Sequence, residues 1–264
     1  MGPTMILTDK AAGPPPDRKQ TQPDRAANGL LAQAPDPLRY DYVSKDPLEA
    51  GGLMLDLAPR SGRVLDVGCG TGALANLLRT DRKCEIVCVE PDEARARVAR
   101  SRGLEVHVGC LETDLAPKLG KFDAIVLADV IEHLANPTDL ILLTKAFLKP
   151  GGRLLISTPN VAHWSIRTKL LFGHFDYQPV GLMDATHLRW FTRRSLMQLL
   201  DACGFQVISI RGTACLGMHM YAHRLPWKAL PYGIRRRVVQ ALVRGQPTLF
   251  TAQFIVEASP QEIE

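Results

Sequence analysis

The chain has 264 residues, of which 46% are apolar and 22% charged, and its formal net charge is +5. That apolar share is too high for a disordered chain, and no apolar run reaches the roughly 18 residues of a membrane span, so a globular protein is expected and a transmembrane one excluded. The basic excess is too small to mark a nucleic-acid binder.

Pro14, Pro15, Pro16, Pro23, Pro35 and Pro37 lie among polar residues with no sustained apolar period, so residues 1–38 are predicted to be a disordered, Pro-rich tail ahead of one domain over 39–264. Met1 to Thr8 lacks a basic segment followed by a long apolar one, which predicts a cytoplasmic protein. A helical pattern over Pro47 to Leu57 ends at Arg60-Ser-Gly62, and Arg63 to Val67 reads as a buried strand. Helix Gly72 to Thr80, strand Glu85 to Val89, helix Asp92 to Ser101, strand Leu104 to Val108 and strand Phe122 to Leu127 follow. Asn136-Pro137 then fits a helix N-terminus, Lys149-Pro-Gly-Gly152 a helix stop, and Arg153 to Ser157 a fifth strand.

Regularity breaks at Asn160. It resumes with helix Arg193 to Ala202, strand Phe205 to Ile210, and a last strand, Leu249 to Val256, that would pair beside Phe205 to Ile210. Two insertions are therefore expected, near 160–192 and 213–246. Strands alternating with helices predict an α/β fold: a Rossmann-like, seven-stranded, mostly parallel sheet with helices on both faces and an antiparallel last strand. The six cysteines lack paired CxxC spacing, and Cys84 and Cys88 fall on one strand face as small hydrophobes, so no metal is expected.

Where the first strand meets the first helix of this alternation lies Asp66-Val-Gly68-Cys69-Gly70-Thr-Gly72, three glycines that let the backbone pass close to a ligand. Glu90, twenty residues past Gly70, stands where a carboxylate accepts from ribose hydroxyls. Gly68-x-Gly70-x-x-Ala73 also fits the dinucleotide fingerprint, so an NAD(P)-dependent oxidoreductase is an alternative. Asp66 argues against it, because an acid there repels a pyrophosphate and tolerates an ammonium group.

Val64-Leu-Asp-Val-Gly-Cys-Gly-Thr-Gly72 resembles motif I of the class I S-adenosylmethionine-dependent methyltransferases. Phe122 to Leu134 and Leu148 to Asn160 are similar to the motifs of their fourth and fifth strands. Ser157-Thr-Pro-Asn160 and His187-Leu-Arg-Trp-Phe-Thr192 resemble the subset that includes ubiquinone-biosynthesis O-methyltransferases and bacterial saccharide-associated methyltransferases. The resemblance implies S-adenosyl-L-methionine as cofactor, held by Asp66, Gly68, Cys69, Gly70, Gly72, Glu90, Pro91, Leu111, Glu112, Asp129 and Val130. Cys110 stands where relatives commonly place an Asp for the adenine amine, which leaves Leu111 backbone groups or the Glu112 carboxylate as substitutes. The expected activity is methylation of a small-molecule acceptor, at oxygen, with a saccharide, a phenol or a lipid-linked molecule as acceptor. A noncatalytic methyltransferase-like partner protein is a further alternative.

Methyl transfer to a hydroxyl needs a base, and His is the side chain whose ordinary pKa suits the task. His187, beside Asp184 and Arg189, His163 and His133 are the candidates. The 224–244 stretch carries Arg224, Lys228, Arg235, Arg236, Arg237 and Arg244, with Ile234, Val238, Ala241 and Leu242 on one helical face and the arginine cluster largely off it. Peripheral contact with an anionic membrane and a helix docked on the domain both fit this pattern.

Overall fold

The computed structural model describes residues 36, 38, 40–216, 221 and 225–261. The expected tail therefore falls outside the described residues except for Asp36 and Leu38, and Arg224 falls outside as well. Helix α1 (Ala50–Leu57) leads into strand β1 (Gly62–Val67), followed by α2 (Ala73–Arg82), β2 (Cys84–Glu90), α3 (Glu93–Ser101) and β3 (Glu105–Val108). Next come β4 (Phe122–Ala128), α4 (Pro137–Thr144), β5 (Leu148–Pro159), α5 (Trp164–Leu171) and α6 (Arg193–Ala202). Strand β6 (Phe205–Gly212), α7 (Tyr232–Gly245) and β7 (Gln253–Pro260) complete the order. The strands form one sheet, β3-β2-β1-β4-β5-β7-β6, in which β7 runs antiparallel to both neighbours, as the sequence predicts. Strand order reverses between β1 and β4, the switch point at which open α/β sheets bind ligands.

Period-two alternation splits the apolar residues between two cores. On one face Leu65, Val87, Ile125, Leu127, Leu154 and Ile156 pack under α4 and α6. On the other, Val64, Ile86, Ala124, Val126 and Leu155 meet α1, α2 and α3. Each fully buried Leu or Ile of these layers contributes roughly 1.5–3 kcal/mol. Cys84 and Cys88 both sit in the second core, as small hydrophobes. Local chemistry fixes the helix starts: the Asp92 carboxylate accepts from the Arg95 amide at 2.9 Å, and Thr192 and Ser195 form a reciprocal capping box at α6.

Three sequence expectations need correction. Lys149-Pro-Gly-Gly152 does not stop a helix: α4 ends at Thr144, a 3-10 turn spans Lys145–Phe147, and β5 begins at Leu148, opposite Phe122 with a register shift. The last strand starts at Gln253, because Pro247–Phe250 forms one helical turn and leaves the apolar pair Leu249-Phe250 outside the sheet. The first insertion is not irregular throughout, since it contains α5.

The basic helix docks through residues other than its apolar stripe. Its docked residues are Val239 and Val243, in a small core with Tyr221 and Trp164, while Ile234, Val238 and Ala241 lie exposed. Arg235 donates to the Tyr221 carbonyl at 2.8 Å and Arg236 forms two bonds to Asp46. The two half-buried arginines thus hold the helix down, and the apolar stripe faces out.

Candidate active site

The loop after β1 turns because its amides have fixed acceptors. Gly68 N–H and Cys69 N–H donate to the Val89 carbonyl at 2.7 and 3.3 Å, and Gly72 N–H donates to Cys69 O at 2.9 Å. Gly68, Gly70 and Gly72 all have positive φ, of 71°, 58° and 75°. Their missing side chains serve different ends. A Cβ on Gly68 would meet Val130 Cγ2 at 2.8 Å, and one on Gly72 would meet Leu104 and Ala99 of the α3 layer at 2.4 and 2.9 Å. A Cβ on Gly70 would meet nothing within 4 Å among the described residues, so of the three this is the glycine with open space in front of it, where a ligand can approach the backbone. Cys69 is half-buried in the loop, and Val130 caps it from the end of β4.

Two buried carboxylates stand behind the loop. Glu90 Oε2 accepts from Gly70 N–H at 2.8 Å and Oε1 from Asp92 N–H at 3.0 Å, so it shapes the loop as well as facing it. Asp66 is 1% exposed, and its Oδ2 has no hydrogen-bond partner among the described residues. Desolvation, and then the neighbouring Glu90 charge, push its carboxyl up to about 7. An orphaned buried oxygen of this kind fits a ligand donor, and an ammonium group supplies one together with its charge.

Asp129 follows β4 directly with φ 54°, an uncommon conformation for a residue with a side chain. Its amide donates to Ser157 O and Oγ, Ser157 Oγ donates back to Oδ1 at 3.0 Å, and Gln253 of β7 donates to the same oxygen. Strands β4, β5 and β7 are thus tied together at the sheet edge. On the opposite flank Pro91, Cys110 and Glu112 are exposed, while the Leu111 side chain is buried in the first core.

The candidate bases separate. His133 and His187 come together, ring centroids 4.9 Å apart, beside buried Glu132. Glu132 Oε2 accepts from Thr158 Oγ1 at 3.2 Å, and Oε1 has no partner among the described residues. Its carbonyl accepts from Leu188 and Arg189 amides at 2.8 and 2.9 Å, which ties the first insertion to the β4 edge. One ligand atom from each of Glu132, His133 and His187 lies within 4.8 Å of the others, so the trio has the geometry to hold a cation. Asp184 accepts from the Thr186 amide and hydroxyl and from the Tyr40 hydroxyl, and Arg189 donates to Ala135 O, so both position the insertion.

His163 does not belong to this group. It is 0% exposed, caps α5, and engages Ser165 through Nδ1 at 2.8 Å and the Tyr221 hydroxyl through Nε2 at 3.3 Å. Burial lowers its pKa to about 4, so it is a neutral structural side chain with no path to an acceptor.

Sequence reasoning passed over Glu132, Thr158, Ser157, Gln253 and Tyr40. Glu132 lay inside the motif around the fourth strand, next to His133, and its adjacency to a candidate base was the available signal. Sequence also missed the wall beside His187. Trp190 lies 5.4 Å from the His187 ring, with Phe175 5.3 Å and Tyr177 6.3 Å from Trp190, and both of the latter partly exposed. This arrangement offers aromatic faces to a flat or apolar molecule.

Residues 40–210 match the family model described as a methyltransferase domain. A ubiquinone biosynthesis O-methyltransferase from Xanthomonas oryzae pv. oryzae is 37% identical over 131 residues, covering 47% of this chain and 50% of that protein. One of the same name from Idiomarina loihiensis is 28% identical over 158 residues, 57% of this chain and 64% of its own. The chain thus spans about half the length of the curated relatives it matches first. Among solved structures, a SAM-dependent methyltransferase from Archaeoglobus fulgidus aligns with a TM-score of 0.52 at 16% identity, covering 81% of this chain and 96% of that one. Phosphoethanolamine N-methyltransferase 2 from Haemonchus contortus, in complex with S-adenosyl-L-methionine, aligns with a TM-score of 0.51 at 15% identity, covering 80% of this chain and 51% of that one. These two likenesses are of fold.

Proposed function

The chain belongs to the methyltransferase-domain family, and from that premise we propose that it transfers the methyl group of S-adenosyl-L-methionine to a hydroxyl oxygen of a small-molecule acceptor. The observation that carries the cofactor is Asp66: a buried carboxylate with an orphaned oxygen behind an open glycine bend suits an amino-acid ammonium and disfavours a diphosphate. Oxygen as the methylated atom draws support from the relatives named ubiquinone biosynthesis O-methyltransferase and from the His133–His187 pair.

The cofactor supplies a sulfonium methyl group for in-line displacement, so the protein contributes alignment, water exclusion and proton removal. Asp66 and Glu90 hold the amino-acid and nucleoside ends, with the Gly70 backbone in close approach. The Phe175, Tyr177 and Trp190 wall orients the acceptor and keeps water off its hydroxyl. His187, next to His133 and Glu132, takes the hydroxyl proton, a contribution typically of about 10²–10⁴ in rate. A phenolic acceptor fits this wall best. Among the described residues no helix is long and apolar enough to cross a membrane. Peripheral membrane contact through α7 draws support from exposed Tyr232, Ile234 and Val238 beside Arg237.

Calorimetric titration with S-adenosylhomocysteine and with NAD(H) tests the cofactor: only the first is expected to bind, and binding of NAD(H) alone overturns the reading. The unpartnered Glu132 Oε1 favours a second account of proton removal, in which a divalent cation on Glu132, His133 and His187 acidifies the acceptor hydroxyl. Metal analysis before and after dialysis against a chelator, with turnover measured on both samples, decides between base and cation.

A further inference from the structure

Between α5 and α6 lies a cleft of about 450 Å³, within the roughly 300–1,000 Å³ typical of small-ligand sites, lined by Arg167, Arg193, Arg194, Met197, Gln198 and Thr248 among others. Among the described residues no carboxylate lines it. Arg63, Arg100, Arg102 and Arg236 each meet a carboxylate within 3.3 Å, whereas Arg167, Arg193 and Arg194 pair with none among the described residues. Arg167 donates Nε to the Ala162 carbonyl at 2.6 Å, which fixes its guanidinium and leaves its two terminal nitrogens without a partner among the described residues. Three like charges around one cleft repel each other unless an anion sits among them, and guanidinium forks match the paired oxygens of a phosphate. The first turn of α6, which carries Arg193 and Arg194, adds the positive end of its helix dipole to the same wall.

The cleft also belongs to the catalytic edge. Its wall includes Ala162, two residues past Asn160, and Asn160 is bridged to Phe191. Thr192, in the same wall, follows His187 by a stretch of chain that spans no more than about 18 Å.

We propose that this cleft is an oxyanion subsite, which binds a phosphate group carried by the acceptor while the acceptor's hydroxyl lies at His187. Arg167 from α5 and Arg193 and Arg194 from α6 grip the phosphate oxygens, and the aromatic wall holds the portion between phosphate and hydroxyl. The inference rests on the methyltransferase reading for what carries the phosphate, and not for whether phosphate binds.

The test titrates the full chain with phenyl phosphate by calorimetry and sediments it with phosphatidylglycerol or phosphatidylcholine vesicles. Both are repeated with the Arg167→Gln/Arg193→Gln/Arg194→Gln variant, whose fold is checked by circular dichroism. Phenyl phosphate is expected to bind at least tenfold more weakly to the triple variant, with affinity falling as salt rises. If that variant unfolds, Arg193→Gln alone is expected to weaken binding about threefold or more. Binding confined to phosphatidylglycerol vesicles and lost in the variant assigns the phosphate to a lipid headgroup. No binding of either probe at millimolar level, or binding that the variants do not weaken, overturns the subsite. S-adenosylhomocysteine affinity, measured in parallel, is expected to stay unchanged; its absence in the unaltered chain overturns the methyltransferase reading alone.

Discussion

The Glu90 carboxylate accepts the Gly70 amide at 2.8 Å, so the loop proposed to face the cofactor is shaped by the residue proposed to hold the ribose. Glu90→Ala removes both functions at once. S-adenosylhomocysteine affinity is expected to fall by about 1–3 kcal/mol, the scale of a lost hydrogen bond to a charged group, in isothermal titration. Glu90→Gln, whose amide oxygen can still accept from Gly70, should retain more of that affinity than Glu90→Ala; equal losses would place the effect in the ribose contact alone.

Asp66, if it pairs with the cofactor's ammonium as proposed, should make cofactor binding depend on pH. Its carboxyl, raised to about 7 in the folded chain, must lose a proton to pair with an ammonium group. Affinity for S-adenosylhomocysteine should therefore climb by up to tenfold per pH unit below 7 and level off above it, with proton release visible in buffers of different ionisation enthalpy. Asp66→Asn should flatten the profile. The unliganded protein behaves in the opposite sense. An acid whose pKa is raised on folding stabilises fully below its unfolded value of 3.8, and that stability is lost as pH climbs through 7, on the order of 4 kcal/mol at the limit.

Gly70 and Gly72 should fail differently. Gly70→Arg places its Cβ in open space but at positive φ, so the protein should fold with a thermal midpoint lowered only by that backbone strain and lose S-adenosylhomocysteine binding. Gly72→Ala drives a Cβ into Leu104 and Ala99 at positive φ, and overpacking of this kind typically costs about 1–3 kcal/mol. Chemical denaturation and titration on both variants check the contrast. Retained affinity in Gly70→Arg would count against the site.

His187 and His163 should separate chemistry from stability. His187→Ala is expected to lower kcat by about 10²–10⁴ with S-adenosylhomocysteine affinity unchanged. His163→Ala is expected to lower the denaturation midpoint, by loss of the cap on α5 and the contact to Tyr221. Because burial depresses the His163 pKa to about 4, its contribution is complete above the unfolded value of 6.5 and lost as pH falls toward 4. Acid denaturation curves of the unaltered chain and His163→Phe report that window.

The sheet was legible because its signals are local. Period-two apolar runs, Asp92 and Asn136-Pro137 at helix starts, and the glycine bend each declare themselves within a few residues. Errors arose where tertiary contacts decide the outcome. Lys149-Pro-Gly-Gly152 contains helix-stopping residues, yet Leu148 pairs with Phe122 across a register shift that only β4 can dictate. Leu249-Phe250 has strand composition, but Pro247 starts a turn of helix there. Glycine, Asp66 and Glu90 positions followed from spacing along one βαβ unit. Pairing of His133 with His187, 54 positions apart, and seclusion of His163 depend on how the first insertion folds back, and no periodicity encodes that.

Strand β7 carries a consequence for how the protein is made. It lies between β5 and β6, and its first residue, Gln253, donates to Asp129 at the edge that carries the candidate site. While a ribosome is still adding residues up to 260, β5 and β6 have no strand between them and Asp129 lacks one of its donors. The nascent polypeptide can assemble its glycine bend early, but competence at the proposed methyl-transfer edge must wait for nearly the whole of the domain to emerge.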